Sequence, residues 1–180
     1  MKTDIELITL YCSYQDKAAF AELVTRYQSG IRQFLRRLTA GDHPAADDIA
    51  QDTFIVMFRK LNTFNGTSSL STWLHKIAYN CFLKNLKTHG KFHFDDDFDV
   101  TTIESNQPDL LSDITLEKLM KNLSIDERLT LTLNYAAGMS HSEIVKITNI
   151  PLGTVKSHIN RAKNKLSRML LPIEQNEEVA

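Results

Sequence analysis

The chain has 180 residues, of which 42% are hydrophobic and 24% charged, and its formal net charge is −1. This balance excludes a disordered chain and provides enough apolar side chains for one or two small cores. No run approaches the roughly 18 consecutive apolar residues of a membrane helix, and the acidic start is unlike a signal peptide, so we expect a cytoplasmic protein. Cys12 and Cys81 lack the paired spacing of zinc sites or disulfide scaffolds and are predicted to be buried free thiols.

Apolar residues recur at three- and four-residue spacing and few β-branched runs alternate, which predicts an all-α protein. We expect helices over about 3–12, 17–40, 45–62 and 69–88, and then over about 114–123, 126–137, 140–148 and 155–170. The predicted organisation is two small helical domains, 1–92 and 113–172, joined by a flexible acidic linker over 93–112 and followed by a tail over 173–180.

The linker is predicted from charge, because residues 95–113 contain seven acids, no Lys or Arg, and no sustained apolar period. Four carboxylates in this linker, Asp95, Asp96, Asp97 and Asp99, could ligate a divalent metal ion. The run lacks the glycine turn and the glutamate of a calcium loop, however. A solvated, self-repelling linker is the better interpretation. We expect no metal and no cofactor.

The segment 45–62 contains a polar stripe beside a run, 54–58, that is apolar almost all the way round. Its members are Asp48, Gln51, Asp52 and Arg59. Such a helix either docks on a partner helix that carries arginines or is a core helix with a solvated acidic edge. The pattern alone leaves both alternatives open.

The next segment is cationic, with no acid between Thr53 and Phe94. At helical spacing one face collects an aromatic ring, an amide and ammonium groups: Trp73, Lys76, Asn80, Lys84 and Lys87. Single-stranded DNA binding uses this mixture, and the preceding polar loop, with Thr67, Ser68 and Ser69, has hydroxyls that could hold an extruded base. Trp73 by itself is more often a core residue.

Residues 138–168 have the pattern of a helix-turn-helix. Ser140 and Glu143 form a capping box, Pro151 and Gly153 indicate a turn, and Thr154 is the predicted N-cap of the second helix. That helix has one apolar stripe, and its other positions are polar or basic, including Thr154, Lys156, Ser157, His158, Arg161 and Lys165. The alternative is an ordinary amphipathic surface helix, but box, turn and basic helix in this order favour a DNA reader.

The chain resembles the bacterial extracytoplasmic-function (ECF) sigma factors from about Ala18 to Leu171. The resemblance is carried by DDIAQDTF at Asp48, TWLHKIAYN at Thr72, SHSEI at Ser140 and GTVKSHINRAK at Gly153. It implies a first domain that binds the clamp helices of core RNA polymerase and melts the minus-ten element, and a second that reads the minus-thirty-five element. It also implies that the linker lies in the polymerase channel towards the RNA exit and that an anti-sigma factor is a partner.

The resemblance also implies residue roles. Asp48, Gln51, Asp52 and Arg59 fall in the polymerase-docking helix, Thr67, Ser68 and Ser69 in the loop that captures a flipped base, and Lys76 and Asn80 on the adjoining face. Lys156, Ser157, His158 and Arg161 fall on the recognition helix. Three residues depart from the family pattern: Leu70 replaces a common aromatic, and Lys76 and His158 replace usual arginines.

Two other functions compete. A response-regulator output protein also carries a TVKSHI-like string and binds duplex DNA only, but it needs a receiver domain, and the first 90 residues lack βα alternation. A helical adaptor that binds polymerase alone would not need the basic recognition helix. No nucleophile–base pair or metal-ligand set supports an enzyme.

Overall fold

All regular structure in the computed structural model, which describes residues 2–88 and 116–174, is helical. The first segment contains α1 (Asp4–Tyr14), α2 (Lys17–Leu38), α3 (His43–Lys60), a 3-10 turn (Leu61–Thr63) and α4 (Leu70–Thr88). The second contains α5 (Leu116–Met120), α6 (Ile125–Leu131), a π turn (Thr132–Ala136), α7 (His141–Thr148) and α8 (Leu152–Glu174). The whole predicted linker, 93–112, with its acidic tract, lies outside the described residues.

Side-chain caps begin the helices of the first segment. Thr3 and Glu6 form a capping box at α1, and the Asp16 carboxylate accepts from the amide of Ala18 at 2.9 Å at α2. Asp42 caps α3, accepting from the Ala45 amide at 3.1 Å, and proline stands in the first turn of that helix. These contacts occupy amide donors that have no partner within the helix, so each helix has a defined start.

The core of the first segment lies where α2 packs against α1, α3 and α4. Its fully buried side chains are aliphatic and come from every helix: Leu7, Leu23, Leu35, Met57 and Leu74. Cys12 and Cys81 are free but only half-buried, so the prediction of buried thiols was too strong. Burial nevertheless raises the pKa of both thiols.

The second segment packs α6, the π turn and α7 around the N-terminal half of α8. Leu129, Leu133, Ile144, Val155 and Ala162 are fully buried there. The stripe predicted for α8 from three- and four-residue spacing therefore faces the core over its first two-thirds, and Leu166 is half-buried. The opposite side of α8 stays exposed.

Two local predictions about the helix-turn-helix were wrong. The second helix begins at Leu152, so Thr154 lies inside its first turn, and the carbonyl of Pro151 accepts from the Val155 amide at 2.9 Å. The chain reverses instead at Asn149, which ends α7 in the left-handed conformation with φ 60°. Asparagine tolerates that conformation, so Gly153 is not needed for the turn.

The predicted helix over 126–137 is divided. After α6 the chain widens into a π turn, with the Ala137 amide donating to the Thr132 carbonyl at 3.1 Å, and Gly138 leaves it with φ 67°. A glycine accepts this positive φ without steric cost. The widened turn lies against α2, next to the other segment.

The two segments contact each other directly: α4 packs against α7, and α2 packs against α5, α6 and the π turn. A cavity of about 190 Å³ lies in this interface, with Phe34, His75, Thr132 and Ala136 in its wall. His75 is 6% exposed, and burial lowers its pKa. We had expected two domains joined by a flexible linker, and the structure adds a packed interface between them.

Candidate polymerase- and DNA-binding surfaces

One side of α3 is buried and the other is an exposed polar stripe. Ala46, Ile49, Ala50, Thr53 and Met57 face the core. The structure places all four predicted docking residues, Asp48, Gln51, Asp52 and Arg59, on the exposed side. The helix is therefore a one-sided surface helix, although its sequence over 54–58 is apolar nearly all round.

Two apolar side chains interrupt the charged stripe. Ile55 lies between Asp52 and Arg59 and is 47% exposed, and Phe58 is 53% exposed. The sequence interpretation missed the neighbouring Asp47. Its Oδ1 lies 3.7 Å from Nη2 of Arg36 and 4.0 Å from Nε of Arg32, so these ion pairs link α3 to α2. Exposed apolar groups between charges are typical of a surface that a partner covers.

The loop before α4 is shaped by its own polar side chains. The side-chain oxygen of Asn65 accepts two hydrogen bonds from Thr67, one from its amide at 3.2 Å and one from its hydroxyl at 2.8 Å. Between them, Gly66 has a φ of 72°. Thr67 and Ser69 are exposed, and Ser68 is half-buried. The loop presents hydroxyls at the start of α4, as a pocket for an extruded base would require.

The exposed face of α4 continues from this loop. Lys76, Asn80, Lys84 and Lys87 are all exposed on it, and Thr72, His75, Tyr79 and Phe82 on the other side are buried. Trp73 is half-buried, with its ring centroid 5.5 Å from that of Phe64 in an edge-on arrangement. Trp73 thus packs on the core and also borders the exposed face, and its part in single-strand DNA binding stays a prediction.

Leu70, which replaces a common aromatic of the family, is 3% exposed and belongs to the core of the first segment. Its side chain is therefore unavailable to a nucleotide. Phe64 and Trp73, which lie on either side of the loop in the sequence, form the ring pair described above. Sequence alone could not show this, because burial of one residue at a helix start depends on tertiary packing.

The helix-turn-helix has its predicted capping box. The Glu143 carboxylate accepts from the Ser140 amide at 3.0 Å, and the Ser140 hydroxyl accepts from the Glu143 amide at 3.3 Å. The Ser140 hydroxyl also donates to Glu143 Oε2 at 2.7 Å, and this bond, followed by the one from the Ser140 amide, lowers the pKa of Glu143. The box satisfies amide donors at the start of α7 and so fixes where the first helix of the helix-turn-helix begins.

Most of the predicted duplex-reading residues lie on the open side of α8. Thr154, Lys156, Ser157 and Arg161 are exposed, and His158 is half-buried. Arg161 Nη2 lies 3.0 Å from His158 Nδ1, so the imidazole holds the guanidinium in place. A positioned guanidinium is a good donor to phosphate or to a guanine edge.

Lys165 has a different contact from the one predicted. Its Nζ donates to Glu127 Oε2 at 2.9 Å, and Glu127 is only 3% exposed. Burial disfavours ionisation of Glu127, but Lys165 and the Ser124 amide outweigh it and lower its pKa. Lys165 therefore holds α8 against α6, and its role as a DNA contact stays a prediction.

Comparison with known proteins defines the class. Residues 23–92 match the model of sigma-70 region 2, and residues 114–166 match that of sigma-70 region 4. The two segments thus have the domain pair of a sigma-70-type initiation factor.

The RNA polymerase sigma-H factor of Pseudomonas aeruginosa is 33% identical, with 88% of this chain and 89% of that protein covered. The ECF RNA polymerase sigma-E factor of Escherichia coli K12 is 32% identical, with 88% and 90% covered. The chain belongs to the ECF family of RNA polymerase sigma factors.

Solved structures agree with this fold. The sigma factor RpoE of Bartonella quintana, in complex with the anti-sigma factor NepR, superposes with a TM-score of 0.67 at 28% identity, covering 84% of this chain and 96% of that one. CnrH in complex with the cytosolic domain of CnrY gives 0.64 at 21% identity, covering 93% and 96%, and shows the fold alone.

As an ECF sigma factor the protein binds core RNA polymerase, directs it to specific promoters and helps open the DNA. The region 2 match excludes the response-regulator alternative, because that class has a receiver domain at this place. Sigma factors are initiation factors and catalyse no reaction themselves. In the described part of the chain, no helix is both long and apolar enough to cross a membrane.

Proposed function

We propose that three exposed surfaces divide the work of initiation. The stripe of α3 docks on the clamp helices of polymerase, the 67–69 loop and the exposed face of α4 hold a flipped minus-ten base, and α8 reads the minus-thirty-five duplex. The linker would lie in the polymerase channel towards the RNA exit, and the protein would act in the cytoplasm. The proposal keeps the domain limits expected from the sequence, 1–92 and 113–172.

Docking through α3 is supported by the chemistry of its open side. Two carboxylates, an amide and a guanidinium surround Ile55 on one exposed stripe. A partner helix with arginines and an apolar centre would neutralise the carboxylates and cover Ile55 together. The buried side of α3 meanwhile holds the stripe rigidly on the domain.

Strand capture is carried by one observation: the open face of α4 is cationic, contains Asn80, and begins at a loop of hydroxyls. Ammonium groups attract the phosphates of a single strand, and the amide can read the edge of an unpaired base. A protein that binds only duplex DNA has no use for such a face on a second domain.

Duplex reading is supported by the open side of α8, where Lys156, Ser157 and Arg161 project from a helix whose other side is core. A helix presented in this way fits a major groove. Its hydroxyl and cationic donors suit guanine edges and phosphates.

An anti-sigma partner is supported by a groove of about 640 Å³ between the two segments. Its floor is apolar, with Met120, Leu166 and Leu170, and the cations Arg37 and Lys163 border it. This combination suits an acidic amphipathic helix, which a groove of this kind binds through its apolar face. The complexes of RpoE with NepR and of CnrH with CnrY are those of similar proteins.

Run-off transcription tests the proposal as a whole. Purified core polymerase would be given genomic fragments with and without this chain. We expect new, specific start sites that require the chain and that are lost with Asn80→Ala at promoters of weak minus-ten sequence. Specific duplex binding without any new start site would contradict the proposal.

A further inference from the structure

Aromatic side chains continue the exposed side of α3 on to the N-terminal helix. Phe58 lies two turns after Gln51 on the same side of α3, and its ring is 53% exposed. The ring centroid of Phe58 lies 5.8 Å from that of Tyr11 on α1 and 5.3 Å from that of Phe20 on α2. Tyr11 and Phe20 are themselves 5.1 Å apart, so three helices share one aromatic cluster with an open edge at Phe58.

A fourth aromatic side chain, Tyr14, is exposed on the same helix as Tyr11. It lies one turn after Tyr11 at the end of α1 and is 77% exposed. Tyrosine is enriched at the centres of protein interfaces, because its ring buries a large area with few rotatable bonds and its hydroxyl tolerates water. A partner that covered Tyr14 and Phe58 would therefore remove two exposed rings from water.

A partly buried cluster of charged side chains fixes the position of α1 on α2. The Asp4 carboxylate accepts from Arg26 and Tyr27 of α2, and Arg26 also contacts Glu22 at 3.0 Å and the Lys2 carbonyl at 2.9 Å. Leu7 and Tyr11 bury the inner side of α1. Tyr14 therefore lies on a helix that is already fixed in place, so little conformational entropy would be lost on binding. Helix α1 lies outside residues 23–92, which the region 2 model covers.

We propose that α1, through Tyr14 and the open edge of the Tyr11–Phe20–Phe58 cluster, forms a second contact with the polymerase element that docks on α3. This inference rests on the proposed docking role of α3. The charged stripe supplies the polar contacts, and the aromatic edge supplies an apolar anchor beside them, as interfaces with a desolvated centre and a polar rim require. The partner surface is accordingly an apolar patch next to the arginines that meet Asp48 and Asp52.

A pair of exposed residues on α1 makes the test specific. Tyr14→Ser removes the ring, and Ile5→Ser is the matched control, because Ile5 is 72% exposed and lies nine residues earlier, on the opposite side of the helix. Equilibrium binding of the labelled full chain to core RNA polymerase, by fluorescence anisotropy, measures the effect. We expect Tyr14→Ser to bind about fivefold more weakly or worse, and Ile5→Ser and Tyr14→Phe to bind as the wild type.

The other outcomes overturn the inference in distinct ways. If Tyr14→Ser bound with wild-type affinity while Asp48→Lys bound more weakly, the docking surface would be limited to α3. The proposed function would then be unaffected. Wild-type affinity of both would contradict the docking role of α3 as well. Equal losses for Tyr14→Ser and Ile5→Ser, or a changed oligomeric state of Tyr14→Ser alone, would show that Tyr14 acts on the fold or on self-association instead.

Discussion

The hydroxyl of Thr72 donates to Oε1 of Glu143 at 3.0 Å and so joins α4 of the first domain to α7 of the second. The other oxygen of the same carboxylate closes the capping box at Ser140. On the other side, the Ser69 hydroxyl lies 2.8 Å from that of Thr72. One chain of hydrogen bonds thus runs from the base-capture loop to the start of the helix-turn-helix.

Loss of this contact should loosen the interface between the domains. A hydrogen bond to a charged group contributes about 1.5–3 kcal/mol, so Thr72→Val should shift the full chain towards more extended forms. Small-angle scattering at low salt would show this as a larger radius of gyration. Thr53→Val is the control, because the buried Thr53 hydroxyl contacts groups of the first domain, the Ile49 carbonyl and the Cys81 thiol, and does not take part in the contact between the domains. Equal radii for wild type and Thr72→Val would show that the contact contributes nothing in solution.

Charge reversal on α3 should weaken the complex with polymerase. Asp48→Lys with Asp52→Lys leaves arginines of the partner unmatched, which typically costs about 2–5 kcal/mol, or at least thirtyfold in Kd. Binding to core polymerase measures this, and circular dichroism checks that the helices remain. Asp126→Lys, an exposed acid of the second domain, should have no comparable effect. Undiminished affinity of the double variant would remove α3 from the interface.

The cations of α8 should divide into those that contact DNA and those that hold α8 against the rest of its domain. Lys156→Ala and Arg161→Ala should each weaken binding to a minus-thirty-five duplex. A base contact would relax specificity by about 1–3 kcal/mol, and a phosphate contact would lower the salt slope by about one. Lys165→Ala should affect DNA binding least, because its ammonium is paired with Glu127. If only Lys165→Ala changed the salt-titrated affinity, this division of α8 would be wrong.

The Glu127–Lys165 pair predicts a dependence of stability on pH. The pKa of Glu127 is lower in the folded than in the unfolded chain, so its contribution is present above the unfolded value of about 4.5 and is lost as pH falls through the folded value. The denaturation midpoint of wild type should therefore fall more between pH 6 and 3 than that of Lys165→Met. Lys163→Met, an exposed neighbour, should behave like wild type. Parallel profiles for wild type and Lys165→Met would contradict this origin.

Local patterns predicted the helices well, because capping residues and apolar spacing act within a few residues of chain. The predicted box at Ser140 begins α7, and a box of the same pattern, Ser124 with Glu127, begins α6. Sequence did not reveal the contacts that tertiary packing decides. Leu70 is buried in the core, Lys165 is paired with Glu127 of α6, and the second role of Glu143 involves a residue 71 positions away. The turn of the helix-turn-helix depends on Asn149, a residue type that tolerates the left-handed conformation, and not on Gly153.

Promoter opening tests the central claim most directly, because a pocket for one unpaired base separates a sigma factor from a protein that binds only duplex DNA. Holoenzyme with wild type or Asn80→Ala would be footprinted with permanganate, which reports unpaired thymines near the start site. Unstacking a base costs a few kcal/mol that pocket contacts recover, so Asn80→Ala should keep polymerase and minus-thirty-five binding but open promoters more slowly, most clearly at weak minus-ten elements. Opening as fast as in the wild type, at those weak elements too, would contradict the single-strand pocket on α4.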